Sequence, residues 1–153
     1  MPDDAIDKAI IANRLRIGVV WTGTESALVR QRRGQQRLRD LTLLNYSSTC
    51  AVCDVNSPTL LVTSHIVGWA EVPEARGILS NIICLCRFHD VLFEQGYWSL
   101  TDDLMVLRKP AQTSRTIASL LDNCSQFRKP RDHRPEPVFL RWHRLRWGLE
   151  AQP

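Results

Sequence analysis

The chain has 153 residues, of which 44% are hydrophobic and 24% charged, enough to bury a core and too apolar for a broadly disordered protein. Seven glycines and eight prolines exclude a fibrous or low-complexity chain, and no apolar run approaches the roughly 18 residues a membrane helix needs. Lys and Arg total 20 against 16 acids, a net charge of +4 that carries information only where it clusters. Residues 1–30 read as an N-terminal extension. It starts with the acidic Met1-Pro2-Asp3-Asp4 and has no apolar secretory core, so a cytoplasmic location is expected. Within it, Ala5 to Leu15 suits a helix and Ile17 to Trp21 a short strand, broken by Thr22-Gly23-Thr24.

Residues 30–39 hold five arginines, at 30, 32, 33, 37 and 39, and no acid. Leu38, Leu41 and Leu44, with Leu43 beside them, make the apolar stripe of an amphipathic helix ending near Asn45-Tyr46. Its basic face either meets solvent or grips nucleic acid. Thr59 to Ile66 is rich in β-branched residues and leucine and reads as a strand. Gly68 to Ser80 reads as a loop. Asn81 to Phe93 fits a helix, with Ile82, Leu85, Phe88 or His89, and Leu92 near one face. Gly96 stops it, Tyr97 to Leu100 returns as a strand, Asp102-Asp103 turns, and Leu104 to Leu107 continues as a strand.

Residues 113–127 suit a helix around Ile117, Leu120, Leu121 and Phe127, and 128–137 a Pro-rich charged linker. Residues 138–147 suit a terminal helix. From 128 to 146 there are seven basic residues against Asp132 and Glu136, so the basic excess sits in two blocks. Trp142 and Trp147 stand among those arginines. Stacking on bases is open to them, but core packing is the favoured reading.

Five cysteines cannot all pair within one chain, and without an export signal reduced thiols are expected. Cys50-Ala51-Val52-Cys53 is a knuckle that brings two thiolates into one tetrahedral shell, and Cys86-Arg87-Phe88-His89 offers a thiolate and an imidazole. Together they make a Cys3His set suited to a closed, structural zinc site, which contributes directly to folding. The competing reading is buried free cysteines. Cys84 and Cys124 read as core thiols, Cys84 because it faces away from Cys86 if the segment is helical.

A second constellation is Ser64-His65-Ile66, then Asn81, then His89-Asp90. Its order resembles the His-Asn-His (HNH) nucleases of the ββα-metal group. The resemblance extends over roughly residues 30 to 147. Arg33-Gly34-Gln35-x-x-Leu38-Arg39 leads in. Leu60-Leu61-Val62-x-Ser64-His65-Ile66-Val67-x-Trp69 looks like the "SHI-x-x-W" signature of restriction-type members. Asn81-Ile82-Ile83-Cys84-Leu85-x-x-x-His89-Asp90-x-x-Phe93-Glu94-x-Gly96 is similar to their "N-G-x-x-L-x-x-x-H-D-x-x-F-D-x-G" segment, with Ile82 where glycine is usual. Phe139-Leu140-x-x-His143-Arg144 resembles their "L-x-x-H-R" ending.

The resemblance implies an α+β fold: a ββα-metal core over residues 31–110 with a structural zinc knuckle, flanked by the N-terminal extension and a helical, basic C-terminal extension over 111–153 that packs on it. It implies a metal-dependent DNA endonuclease of restriction or defence type. His65 would be the general base. Asn81 would fix the loop or the imidazole by a hydrogen bond. A divalent ion, Mg²⁺ or Mn²⁺, would sit on the segment Asn81–Asp90. Two registers stay open: Cys50, Cys53, Cys86 and His89 hold zinc while Asp90 holds the catalytic ion, or His89 itself holds that ion. The chemistry favours the split, since a carboxylate suits a hard cation better than an imidazole. Arg32, Arg33, Arg37, Arg39, Arg141 and Arg144 would grip phosphates of double-stranded DNA, with a homodimer as a further option and no membrane contact. Ser64 stands where many members carry an acid. That keeps alive a catalytically impaired, zinc-stabilised nucleic-acid-binding module, and a toxin-type nuclease is a third option.

Overall fold

The computed structural model describes residues 25–68, 77–110 and 112–150, with the side chains of the first helix from Arg33 onward. The expected helix over Ala5–Leu15, the strand over Ile17–Trp21 and the signature residue Trp69 lie outside the described residues.

Helix α1 (Glu25–Asn45) leads into the knuckle. Its inward face is Leu38, Thr42 and Asn45, one helical turn apart, and Leu44 points to solvent. The leucine stripe expected from sequence is therefore rotated: polar Thr42 is buried because its hydroxyl donates to the Leu38 carbonyl at 2.7 Å. Asn45 is buried because it holds a distant segment. Its Oδ1 accepts from the backbone N–H groups of Asp132 and His133, and its Nδ2 donates to the His133 carbonyl.

After the knuckle, a 3-10 turn (Pro58–Leu60) feeds strand β1 (Leu61–His65). Strand β2 (Ile82–Cys86) pairs with it antiparallel, in register from Leu61↔Cys86 to His65↔Ile82. Helix α2 (Arg87–Glu94) follows directly. The expected helix over Asn81–Phe93 is thus half strand. Ile82, Ile83, Cys84 and Leu85 are all buried, and an unbroken apolar run fits a strand covered on both faces as well as it fits a helix. Pairing with β1 decides the matter. Cys86 then ends the strand and caps α2, its Sγ accepting from the His89 N–H. On α2 the buried residues are His89, Leu92 and Phe93, while Phe88 faces solvent.

A second two-stranded sheet, β3 (Trp98–Leu100) with β4 (Val106–Arg108), continues the chain. Helices α3 (Arg115–Asn123) and α4 (Pro137–Trp147) complete the mixed α+β fold. The 128–137 segment is no loose linker. Arg128 N–H donates to the Ala51 carbonyl, Arg131 N–H to Asn45 and Glu136 N–H to Ser80, so it straps the knuckle, α1 and the β2 entry together.

The core joins Phe93, Trp98 and the terminal helix. Trp98 lies 4.8 Å centroid to centroid from Phe93 and donates its indole N–H to the His89 carbonyl. His143 of α4 stacks on Phe93 at 3.8 Å and 2°. Its Nε2–H donates to the Phe93 carbonyl and its Nδ1 accepts from the Ser99 hydroxyl, both at 2.8 Å. Burial, reinforced by the neighbouring Arg144 charge and opposed by the Phe93 carbonyl, drives the His143 pKa down to about 4. The sign follows from linkage. The unfolded chain takes up a proton near pH 6.5 and the folded chain does not, so this stabilisation is complete above pH 6.5 and is lost as pH falls toward 4. About 3 kcal/mol is expected to disappear across that window. An NMR titration should show a neutral His143 imidazole down to about pH 4.5; titration near its ordinary value would contradict the buried, neutral assignment.

Candidate active site and metal centre

Four ligand atoms, one each from Cys50, Cys53, Cys86 and His89, lie within 4.8 Å of one another. The Cys53 and Cys86 sulfurs are 3.9 Å apart, and Cys86 Sγ is 3.2 Å from His89 Nδ1. A tetrahedral zinc with Zn–S bonds of about 2.3 Å has S···S edges of about 3.8 Å, so the set fits the ion in both donor type and spacing. His89 Nε2 sits 2.7 Å from the Leu120 carbonyl. Donation from Nε2–H to that oxygen fixes the tautomer and leaves the Nδ1 lone pair toward the thiols, the usual outer support of a ligating histidine.

The thiols are electrostatically coupled. Hydrogen bonding from Cys86, against the cost of burial and with help from His89, brings the Cys50 pKa down to about 3. The same Cys50 hydrogen bond, together with burial, pushes Cys86 up. Burial raises Cys53. His89 ends above its ordinary value: burial pulls it down, but the Cys50 thiolate and the Leu120 carbonyl favour its protonated form. A buried cluster that concentrates negative charge on sulfur, with protons shared among its neighbours, is one that a divalent cation satisfies by displacing those protons.

Cys84 lies outside the cluster although it is on β2, where alternation turns it to the same side as Cys86. Two residues along a strand separate them by roughly 7 Å, beyond one shell. The expectation that Cys84 is a core thiol rests properly on this distance and not on a helical turn. Burial raises the Cys84 pKa to about 12, and burial raises that of Cys124 as well.

Arg128 closes the knuckle from outside. Its guanidinium donates to the carbonyls of both Cys50 and Cys53. Composition alone placed it in a basic block; only the fold turns it toward the cluster.

His65 ends β1 and lines a cleft of about 310 Å³ with Glu94 and Gln95 from the end of α2 and with Trp142, Arg146 and Trp147 from α4. Asn81, fully buried, does not open a helix. It sits in a 3-10 turn and grips the chain just after His65: Asn81 Oδ1 accepts from Val67 N–H at 2.9 Å and Nδ2 donates to the Val67 carbonyl at 3.2 Å. The Asn81 carbonyl also accepts from Ile66 N–H. Of the two alternatives, loop or imidazole, these bonds go to the loop. Asn81→Ala is expected to cost about 2–4 kcal/mol, because it strands two buried backbone groups at about 1–3 kcal/mol each. Denaturant unfolding measures this directly, and an unchanged midpoint would mean the clamp is idle.

Asp90 follows His89 on α2 and therefore points about 100° away from the cysteine cluster. It faces Ser64, the residue before His65. Burial raises the Asp90 pKa, opposed by the Ser64 hydroxyl and the Arg87 charge. Ser64 Oγ and Asp90 Oδ1 are both buried, and neither makes a hydrogen bond of good geometry among the described residues. Close approach without a proper bond between two buried oxygens leaves coordination open to a hard cation or to water.

The six arginines expected at DNA divide. Arg33 is exposed and Arg37 half-exposed. The Arg32 side chain lies outside the described residues. Arg39 donates to the Leu61 and Pro58 carbonyls and pins the entry to β1. Arg141 is exposed beside Asp102 at 3.3 Å. Arg144 needs correction. It is buried, donating to the Leu100 carbonyl at 2.8 Å and to Asp102 at 2.7 Å, so it ties α4 to the end of β3 and is turned away from any solvent-side phosphate. Arg146, two residues on, is the one arginine among the described residues that lines the His65 cleft.

The family model described as HNH endonuclease matches residues 50–101. Among solved structures the chain is similar to a modification-dependent TagI restriction endonuclease, with a TM-score of 0.51 and 21% identity over 69% of this chain and 35% of that one. The chain thus spans about a third of the length of that protein, and the likeness is one of fold. No curated protein sequence matches the chain.

Proposed function

We propose that this chain, whose residues 50–101 match the family model described as HNH endonuclease, is a cation-dependent endonuclease that hydrolyses phosphodiester bonds of DNA. The observation that carries the reading is the division of labour between neighbours on α2. His89 is engaged with the thiols of Cys50, Cys53 and Cys86, and Asp90 is turned to Ser64 beside His65. Zinc in the cluster would then be structural, with all four positions taken by protein. His65, held at the strand end by the Asn81 clamp two residues later, accepts the proton of the attacking water, the general-base role open to a neutral imidazole. Asp90, with the Ser64 hydroxyl, offers hard oxygen donors for Mg²⁺ or Mn²⁺. When bound, such an ion neutralises the charge that develops on the phosphorane and the leaving oxygen. Arg33, Arg37 and Arg141 supply phosphate contacts that confer affinity and salt sensitivity without reading sequence.

The test is nicking of supercoiled plasmid with Mg²⁺ or Mn²⁺ added to zinc-loaded protein. Nicking that requires the added cation supports the reading. Asp90→Asn is expected to lower it about 100-fold or more and to raise the cation concentration for half-maximal rate, because a neutral amide holds the ion poorly. Ser64 in place of an acid sustains the second reading, a binding module without cleavage. DNA binding with no nicking under any cation would favour that module.

A further inference from the structure

One part of the lining of the His65 cleft is built by α4. Arg146 Cζ lies 5.4 Å from the Trp142 ring centroid and 5.2 Å from that of Trp147. All three residues line the cleft that holds His65. Two indoles this close to one guanidinium restrict a side chain that otherwise samples many rotamers. A planar fork held this way matches two oxygens of a phosphate.

The chain also makes room for this arrangement. Gly96, just past α2, has φ of +77°, and a Cβ there would lie 2.5 Å from Trp147 Cγ and Cδ2. Glycine at this position thus serves the turn and the seating of the Trp147 ring at once. His143, on the same helix, anchors α4 to Phe93. The aromatic wall is therefore fixed to the helix that carries Asp90 and Glu94. The cleft, at the low end of ligand-sized cavities, which run from about 300 to 1,000 Å³, suits one nucleotide unit better than a stretch of duplex.

We propose that Arg146, braced by Trp142 and Trp147, grips a DNA phosphate next to the one that His65 faces, and so positions the substrate strand in the cleft. This rests on the nuclease reading above for its register against His65, but its binding component can be measured without cleavage. Arg146 is a positioning residue. Glu94, the acid on the α2 side, opposes an anion at that end and biases the phosphate toward Arg146.

The experiment measures duplex oligonucleotide affinity by fluorescence anisotropy over a salt series, in zinc-loaded protein without Mg²⁺ or Mn²⁺, for the native chain, Arg146→Gln, Arg146→Lys and, at an exposed arginine of α3 outside the cleft, Arg115→Gln. Arg146→Gln is expected to weaken binding at least tenfold and to lower the salt slope by about one, as loss of one phosphate contact does. Arg146→Lys should retain the slope yet recover only part of the affinity, because it keeps the charge and loses the fork. Arg115→Gln should change affinity less than threefold. Nicking in Mn²⁺ then reports on register, with Arg146→Gln raising KM more than it lowers kcat. Equal affinity and slope in Arg146→Gln and native protein would overturn the proposal, as would a native chain that does not bind duplex DNA. A native chain that binds and never nicks sinks the nuclease reading and leaves the phosphate grip standing. Nicking that persists undiminished in Arg146→Gln does the reverse.

Discussion

His65→Ala is expected to reduce cation-dependent nicking by about 10²–10⁴-fold, the usual contribution of a positioned general base. DNA affinity should stay within about threefold. The imidazole is half-buried at a strand end, and its removal leaves the Asn81–Val67 clamp, the cysteine cluster and the α4 arginine in place. The split between a large loss of rate and a small change in affinity is what separates a base from a structural histidine. A variant that nicks at the native rate would show that another group takes the proton, and the cleft would have to be assigned anew.

Removing the zinc proposed for the cysteine cluster is expected to have the largest effect on stability. The cluster joins three places that are remote in sequence: the knuckle at 50–53, the turn from β2 into α2 at 86–89 and, through His89 Nε2 and the Leu120 carbonyl, helix α3. Structural zinc in small domains binds with roughly 10 kcal/mol or more of free energy at neutral pH, comparable with the whole stability of a domain at about 5–15 kcal/mol. Cys86→Ser is the sharpest single change. It removes a ligand and exchanges the α2 cap in one step. Elemental analysis should find about one zinc per native chain and much less in the variant, whose Tm should fall by more than about 10 °C. Zinc entry should release protons, because the cysteine thiols and His89 must shed them to ligate. If chelation left Tm unchanged, the four residues would be ordinary core thiols and a satisfied histidine.

The ligand set was legible because its chemistry is local. Cys50-x-x-Cys53 and Cys86-x-x-His89 are each one tight turn, and a tight turn fixes ligand spacing whatever surrounds it. The set came through intact although the helix expected around the second pair is in fact a strand end and a helix start. The two-turn logic needed only the turn.

What stayed hidden depended on partners far along the chain. Ile82 to Leu85 fits helical and strand templates equally, and only pairing with Leu61–His65 and cover on both faces settle it as β2. The arginines show the same limit. Arg39, Arg128, Arg144 and Arg146 look alike as letters in a basic block. Three of them donate to backbone carbonyls at Leu61, Cys50 and Leu100, and one lies beside two indoles in the cleft.

The sequence by itself determined which side chains carry candidate ligating and proton-accepting atoms and where basic charge gathers, because these are properties of side chains and of single turns. Only the tertiary structure decided which face of α2 each neighbour occupies, to which loop Asn81 is bound and which arginine reaches the cleft. Each of those outcomes requires chain segments tens of residues apart to be buried against one another, and that burial is a property of the packed whole.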